Sequence, residues 1–152
     1  MKRQTITNRD IKSIEKQLQQ AVAGVLSIHM NNDKIYQIAC NFIYLDKNIY
    51  AYLDRNDENF EHIKYGNACS FTVFSNEKLS ADSKDFTYKL IYITIGGEVK
   101  DIDDPKLNDQ VAELYRLKYS RSSNGDEYKV DENLKPILLD TKEIKSFIEE
   151  GL

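Results

Sequence analysis

Residues 24–74 read GVLSIHMNNDKIYQIACNFIYLDKNIYAYLDRNDENFEHIKYGNACSFTVF, and the spacing of apolar and polar residues along this stretch decides the fold. Val25, Leu26 and Ile28 open an apolar strand, and the polar NNDK at 31–34 supplies a turn. A second strand then runs from about Ile35 to Leu45. Asp46-Lys47-Asn48 turns the chain again, with Asn48 able to take positive φ, into a third strand over 49–53. Phe60, Ile63 and Tyr65 mark one face of a short helix that Gly66 ends, and a further strand spans Ala68 to Phe74. The first three strands follow one another without crossover helices, so they pair antiparallel.

On the N-terminal side, Thr7 caps a helix with Asp10 three positions on, and Ile11, Ile14, Leu18 and Val22 share its apolar face until Gly24. On the C-terminal side, Ser75 to Phe86 is polar and reads as an exposed loop between strands. Tyr88 to Lys100 forms a long strand whose Gly96-Gly97 pair allows a bulge or a sharp bend. Asp104 and Pro105 start a helix that continues through Leu107, Val111, Leu114 and Leu117. Ser120 to Asn133 reads as a mobile loop, Pro136 to Leu139 as a short strand, and Thr141 as the start of a final helix through Phe147 and Ile148. The expectation is a single domain over 1–152, mainly β with flanking helices (α+β), built on a six-stranded antiparallel barrel. A doubly wound nucleotide fold is disfavoured, because Gly96-Gly97 belongs to neither GxGxxG nor GxxxxGK.

Composition narrows the function. Lys and Arg total 21 against 25 Asp and Glu, a formal charge of -4 with the signs interspersed. No basic stripe is present to neutralise nucleic-acid phosphates. No apolar run approaches the roughly 20 residues that cross a bilayer, and MKRQTITNRD lacks a secretory hydrophobic segment, so a cytoplasmic protein is expected. Cys40 and Cys69 sit inside apolar strand patterns without metal-ligand spacing and read as buried reduced thiols. The acids of DIDDP (101–105) and DRNDEN (54–59) come without His or Cys partners, which argues against a metal centre. No Ser/His/Asp arrangement supports hydrolase chemistry. His29 and His62 are the two histidines, and both read as solvated or partly packed side chains.

Taken in order, GVLSIH (24–29), KIYQIACNFIY (34–44) with its Asn41-Phe42 pair, NIYAYL (48–53) and NFEHIKYGNACSFTVF (59–74) form a recognisable series. It continues through YKLIYITIGGEVKDIDDPKLNDQVAELYRLKY (88–119) and PILLDTKEIKSF (136–147). The series resembles the pyridoxamine 5'-phosphate oxidase-like, FMN-binding split-barrel superfamily, closest to its nitroimidazole-resistance-type branch. The resemblance covers nearly the whole chain and rests on the order of the pieces. It implies a homodimer with two equivalent flavin sites in the interface and FMN as cofactor. By position, the cofactor-binding candidates are Gln37, Ile38, Ala39 and Asn41 on the second strand, then Tyr52, Leu53 and Arg55 leading to Asn59, with Lys89 near the start of the long strand.

The implied function is an FMN-binding flavoprotein, a flavin-dependent oxidoreductase acting on a small reducible molecule such as a nitroaromatic or a quinone. The chain departs from the family where a glycine and a basic pair often precede the short helix: DRNDEN places Glu58 and Asn59 there, beside Asp54 and Asp57. Arg55 is the one guanidinium in the segment, and carboxylates this close to a phosphate repel it. Two readings stay open. Lys64, Lys89 or a basic residue of a second subunit compensates, or the protein is a non-enzymatic split-barrel dimer that binds haem or another ligand, or has lost its flavin site.

Overall fold

The computed structural model describes residues 3–7, 9–31, 33–78, 88–120 and 131–151. Eight strands and two helices follow in the order β1 (Arg3–Thr7), α1 (Ile11–Gln20), β2 (Gly24–His29), β3 (Ile35–Cys40), β4 (Phe42–Leu45), β5 (Asn48–Asp54), β6 (Ala68–Lys78), β7 (Tyr88–Lys100), α2 (Pro105–Tyr119) and β8 (Leu134–Gly151). All strands join one antiparallel sheet in the order β3-β2-β6-β7-β8-β5-β4, with β1 added to β8. The two ends of that order, β3 and β4, are consecutive in the chain and separated by Asn41 alone. The Tyr52 N–H donates to the Asn41 carbonyl at 3.0 Å, so the sheet curls until its ends are drawn together.

The expected six strands become eight for two reasons. The strand expected over 35–45 divides at Asn41, where the backbone leaves β2 as its partner and takes up β5. The N-terminal residues, placed by sequence at the cap of a helix, form β1 instead. Asp10, not Thr7, caps α1: its carboxylate accepts from the Ser13 N–H at 3.1 Å and from the Ser13 hydroxyl at 2.8 Å. Only Ile14 and Leu18 of the expected apolar face are buried, while Ile11 and Val22 stay exposed.

The largest correction is at the C-terminus. The final helix expected from Thr141 is absent, and β8 runs as one strand of 18 residues. Ile144, Phe147 and Ile148 fit a helical stripe locally, but thirteen residues of β7 need a partner along their free edge, and β8 supplies it from Leu138 to Gly151. Phe147 then stacks on Tyr92 at 4.8 Å between centroids. Gly96-Gly97 does mark a register shift, with Gly96 opposite Glu143 and Gly97 opposite Thr141, so that Lys142 is the extra residue. A Cβ on Gly97 would stand 2.1 Å from the Asp140 carbonyl oxygen, a distance that only glycine permits.

Smaller differences follow the same logic. The β4–β5 turn places positive φ at Asp46 (50°) and Lys47 (69°), not at Asn48, whose side chain accepts from the Thr141 N–H at 3.1 Å. The expected short helix reduces to a single 3-10 turn over Phe60–His62, and Gly66 does take positive φ at 92°. β6 continues to Lys78 through the first part of the expected 75–86 loop; the rest of that loop, and most of the one expected over 120–133, lie outside the described residues.

Two cores result. Inside the curled sheet, Leu26, Ile28, Phe42, Ile49, Leu53, Phe71, Ile93 and Ile95 are almost fully buried, and Phe42 meets Phe71 edge-on at 4.8 Å. Outside it, α2 covers β4 and β5 by packing Val111 and Tyr115 on Ile43, Tyr50 and Tyr52. Asp104 caps α2 as expected, accepting from the Lys106 N–H at 3.0 Å, with Pro105 in the first turn. No helix among the described residues is long and apolar enough to cross a membrane.

Candidate functional site

The strand period of two sends Leu26, Ile28, Phe71 and Val73 into the core and their neighbours outward. Register then fixes two cross-strand rows on the outer face: Gln37, Ser27, Ser70 and Gly96 in one, Ala39, Val25, Thr72 and Thr94 in the next. None of these eight residues is ionisable. Along the two rows charge returns on β8, where Glu143 lies opposite Gly96 and Lys145 opposite Thr94, and beyond Gly96 the next outward residue of β7 is Glu98. The Gln37 amide donates to the Ser27 hydroxyl at 3.1 Å, which orients both polar groups on the face.

Two concave surfaces open at one end of these rows. A cavity of about 350 Å³ is lined by Ser27, His29, Ile35, Ala68, Cys69 and Ser70. A second, of about 510 Å³, is bounded by Met30, Lys34 and Tyr36 on one side and by Glu58, Asn59, Glu61 and His62 on the other. Ile35, 71 % exposed, lines both and forms the wall between them. Both histidines of the chain therefore face cavities that meet at one isoleucine. A further cavity of about 520 Å³ lies between α1 and β6, but its polar groups fasten the helix to the sheet: Arg9 donates to Gln17 at 2.5 Å, and Gln17 to the Ile91 carbonyl at 3.1 Å.

The floor of the larger of the two meeting cavities is fixed by the turn that leaves β5. Asp54 accepts from the Asn56 N–H at 2.9 Å, and Asp57 from the Asn59 N–H at 2.8 Å. The second Asp57 oxygen accepts from the Tyr36 hydroxyl at 2.8 Å. The Asn59 amide, followed by the Tyr36 hydroxyl, holds the Asp57 carboxyl below its usual range. Burial, reinforced by Asp57, pushes the Tyr36 phenol well above its ordinary value. Cys69 lines the smaller cavity, yet burial pushes its thiol up to about 12 and it is 8 % exposed. Cys40 behaves the same way, so both cysteines are the buried free thiols the sequence suggests and poor nucleophiles. Among the described residues no group of three His, Cys, Asp or Glu side chains is placed to hold a metal.

No protein-family model and no curated protein matches this sequence. Solved structures do. A candidate 5-nitroimidazole antibiotic resistance protein from Bacteroides thetaiotaomicron superposes with a TM-score of 0.78 at 18% identity, over 99% of this chain and 90% of that one. A candidate pyridoxamine 5'-phosphate oxidase from Corynebacterium glutamicum gives 0.60 at 13% identity, over 96% and 98%. An FAD- and haem-binding protein from Mycobacterium smegmatis gives 0.58 at 12% identity, over 93% and 71%. The fold is the pyridoxamine 5'-phosphate oxidase-like split barrel.

Within the split barrel the nine candidate residues separate into groups. Gln37 and Ala39 project from the outer face, and Asn59 lines the 510 Å³ cavity. Arg55 is exposed on the same turn as Asn59, its N–H donating to the Asn133 carbonyl at 2.8 Å. Ile38 packs inward against the core. Asn41 pins the end of α1, its amide donating to the Val22 carbonyl at 3.0 Å. Tyr52 is buried beneath α2 with its ring 3.9 Å from that of Tyr115, and Leu53 is 1 % exposed inside the barrel. Their side chains are thus committed to packing. Lys89 lies between Glu77 and Glu150 on the neighbouring strands, seven residues along β7 from Gly96. At about 3.3 Å per residue that is roughly 23 Å from the Gln37 row, so one chain does not bring Lys89 to the others. Ser27, His29, Ile35, Tyr36 and Ser70 line the two meeting cavities and were not among the residues selected from sequence. For Ser27 and Ser70 the signal was a small polar residue alternating with core positions in GVLSIH and CSFTVF.

Proposed function

We propose that the protein binds a flavin on the outer face of β2, β3 and β6, as a homodimer whose second copy covers that face. The observation that carries this reading is the pair of uncharged rows around Ser27 and Val25. In a chain with 30% charged residues, a sheet face left to water would carry several ionic side chains. Small side chains there leave a low floor for a flat ring, and Gln37, Ser27 and Ser70 offer donors and acceptors at its edge. The split-barrel fold supports the same reading, since structures that share it include an FAD- and haem-binding protein. Ile35 and Phe74, 71 % and 61 % exposed on this outer surface, gain most from cover by a second copy.

A bound flavin supplies hydride and electron chemistry from its ring, while the chain binds, orients and shields it. We assign the protein as a flavin-dependent oxidoreductase of a small reducible molecule, acting in the cytoplasm, with FMN as the form the resemblance implies. The ring end of FMN fits the uncharged face. The phosphate end does not fit the 54–59 turn, where Asp54 and Asp57 already occupy the Asn56 and Asn59 amides and Glu58 and Glu61 stand beside them.

Haem or another ligand in the same place is the second reading, favoured by His29 and His62 lining cavities that share Ile35. An absorption spectrum of the protein as purified, flavin titrations followed by fluorescence, and mass by light scattering decide between the two. Flavin colour or saturable micromolar binding by a dimer supports the first reading. A haem spectrum moves the function to the second, and a colourless monomer that binds neither rejects both.

A further inference from the structure

Nearly every amide of the turn leaving β5 is spoken for by the chain itself. The Arg55 N–H donates to the Asn133 carbonyl at 2.8 Å, the Asp57 N–H to the Asp54 carbonyl at 3.2 Å, and the Phe60 N–H to the Asp57 carbonyl at 3.0 Å. The two remaining contacts are of a different kind, because their acceptors are carboxylates: Asp54 takes the Asn56 N–H and Asp57 the Asn59 N–H. Backbone amides at such a turn are what an anionic ligand group uses. Asp57 is also held from outside the turn by Tyr36, a β3 side chain only 8 % exposed, so it cannot swing away without leaving that hydroxyl without its acceptor.

We infer that Asp54 and Asp57 are built-in anions standing where a flavin phosphate would bind, and that the protein therefore selects an unphosphorylated flavin over FMN. This inference rests on the flavin reading above. A phosphate approaching these amides would have to displace one carboxylate while facing the other, and like charges at hydrogen-bonding range repel. The ring-binding face lies on β2, β3 and β6 and does not depend on that turn, so loss of the phosphate anchor leaves it intact.

The test titrates riboflavin and FMN into the wild-type protein, an Asp54→Asn/Asp57→Asn double variant and an Asp57→Ala variant. The amide 1H–15N signals of Asn56 and Asn59 are followed in the same samples, with inorganic phosphate as a separate probe. Asparagine still accepts the Asn56 and Asn59 N–H groups without the charge, and the Tyr36 hydroxyl turns to accept from the new side-chain amide, which guards against a folding defect in the alanine variant. The wild-type protein should bind riboflavin at least as tightly as FMN. In the variants FMN should gain about tenfold, the scale of one charge contact, while riboflavin stays within about twofold. Wild-type protein that binds FMN about tenfold more tightly than riboflavin, with the Asn56 and Asn59 amides shifting, overturns the inference and leaves the flavin reading standing. If neither flavin binds, the flavin reading fails and phosphate decides alone: shifts in Asp57→Ala but not in wild type uphold the exclusion, and shifts in both or in neither overturn it.

Discussion

Replacing Lys118 by methionine tests how the outer helix is held against the barrel. The Lys118 ammonium sits 3.9 Å from the centre of the Phe42 ring and donates to the Phe42 carbonyl at 3.1 Å. These partners are a ring and a carbonyl rather than a carboxylate, and burial pushes the amine down from 10.5 to about 8. A depression of that size corresponds to about 3 kcal/mol, reduced to about 2 kcal/mol for the part of the side chain that water still reaches. The unfolded chain keeps this amine protonated up to its ordinary value, whereas the folded chain releases the proton above about 8. Unfolding therefore takes up a proton between the two values, and the wild-type protein gains stability as pH rises through that window.

Methionine keeps the length of the stem without the charge, and the Phe42 carbonyl still accepts from the Tyr119 hydroxyl at 3.1 Å. Urea unfolding of both proteins at steps from about pH 7 to about pH 10.5 should show the stability difference moving in favour of wild type by about 2 kcal/mol. Cys40, Cys69 and the buried tyrosines also titrate in alkali, with folded values raised, but they do so in both proteins and cancel in the difference. A difference that stays flat across the window, or that moves against wild type, would refute the reasoning.

Gly97→Ala forces a Cβ onto the Asp140 carbonyl and should cost about 2–4 kcal/mol by thermal or urea unfolding, while Gly96→Ala, with nothing within 4 Å of its Cβ, should stay within about 0.5 kcal/mol. Tyr115→Ala removes a side chain only 1 % exposed and uncovers Tyr52, so a loss of about 3–5 kcal/mol with a weakened near-UV signal is expected. Tyr52→Phe should leave flavin affinity within about twofold of wild type, since that ring faces Tyr115; a larger loss by fluorescence titration would place the hydroxyl in the site after all. Ser70→Arg puts a charge in the middle of the uncharged rows and should halve the mass seen by light scattering and abolish flavin binding together, with unfolding curves confirming that the monomer remains folded.

Much of the fold was legible where a local pattern had one physical outcome. The alternation in GVLSIH and CSFTVF admits a half-buried strand and little else, and Asp104-Pro105 caps α2 as read. The segment from Thr141 was ambiguous because Ile144, Phe147 and Ile148 satisfy a helical stripe as well as a strand. Nothing nearby in sequence announces that β7, some fifty residues earlier, needs that edge covered. The candidate site shows the same division. Gln37, Ala39 and Asn59, chosen by position along the chain, do lie on the outer face or line a cavity, whereas Tyr52 and Leu53 were chosen without knowledge that α2 and the barrel interior claim their side chains. His29 and His62 read from sequence as solvated or partly packed side chains; the β2–β3 register sets His29 opposite Ile35, and His62, on the turn after β5, lines the other cavity that Ile35 bounds.

By itself the sequence determined which segments alternate as strands, where α2 begins, that the cysteines are buried thiols, and that the turn after β5 is acidic. These depend on contacts within a few residues, or on the single choice between core and water. Tertiary structure alone decided that Asn41 divides one strand into two, that the C-terminal segment is β8, and that eight uncharged residues from four strands form one face. It also decided how Asp57 is held. The Asn56 and Asn59 amides reach their carboxylates two residues away within the turn itself, whereas the Tyr36 hydroxyl that holds the second Asp57 oxygen arrives from β3, twenty-one residues earlier, and only the tertiary structure supplies it.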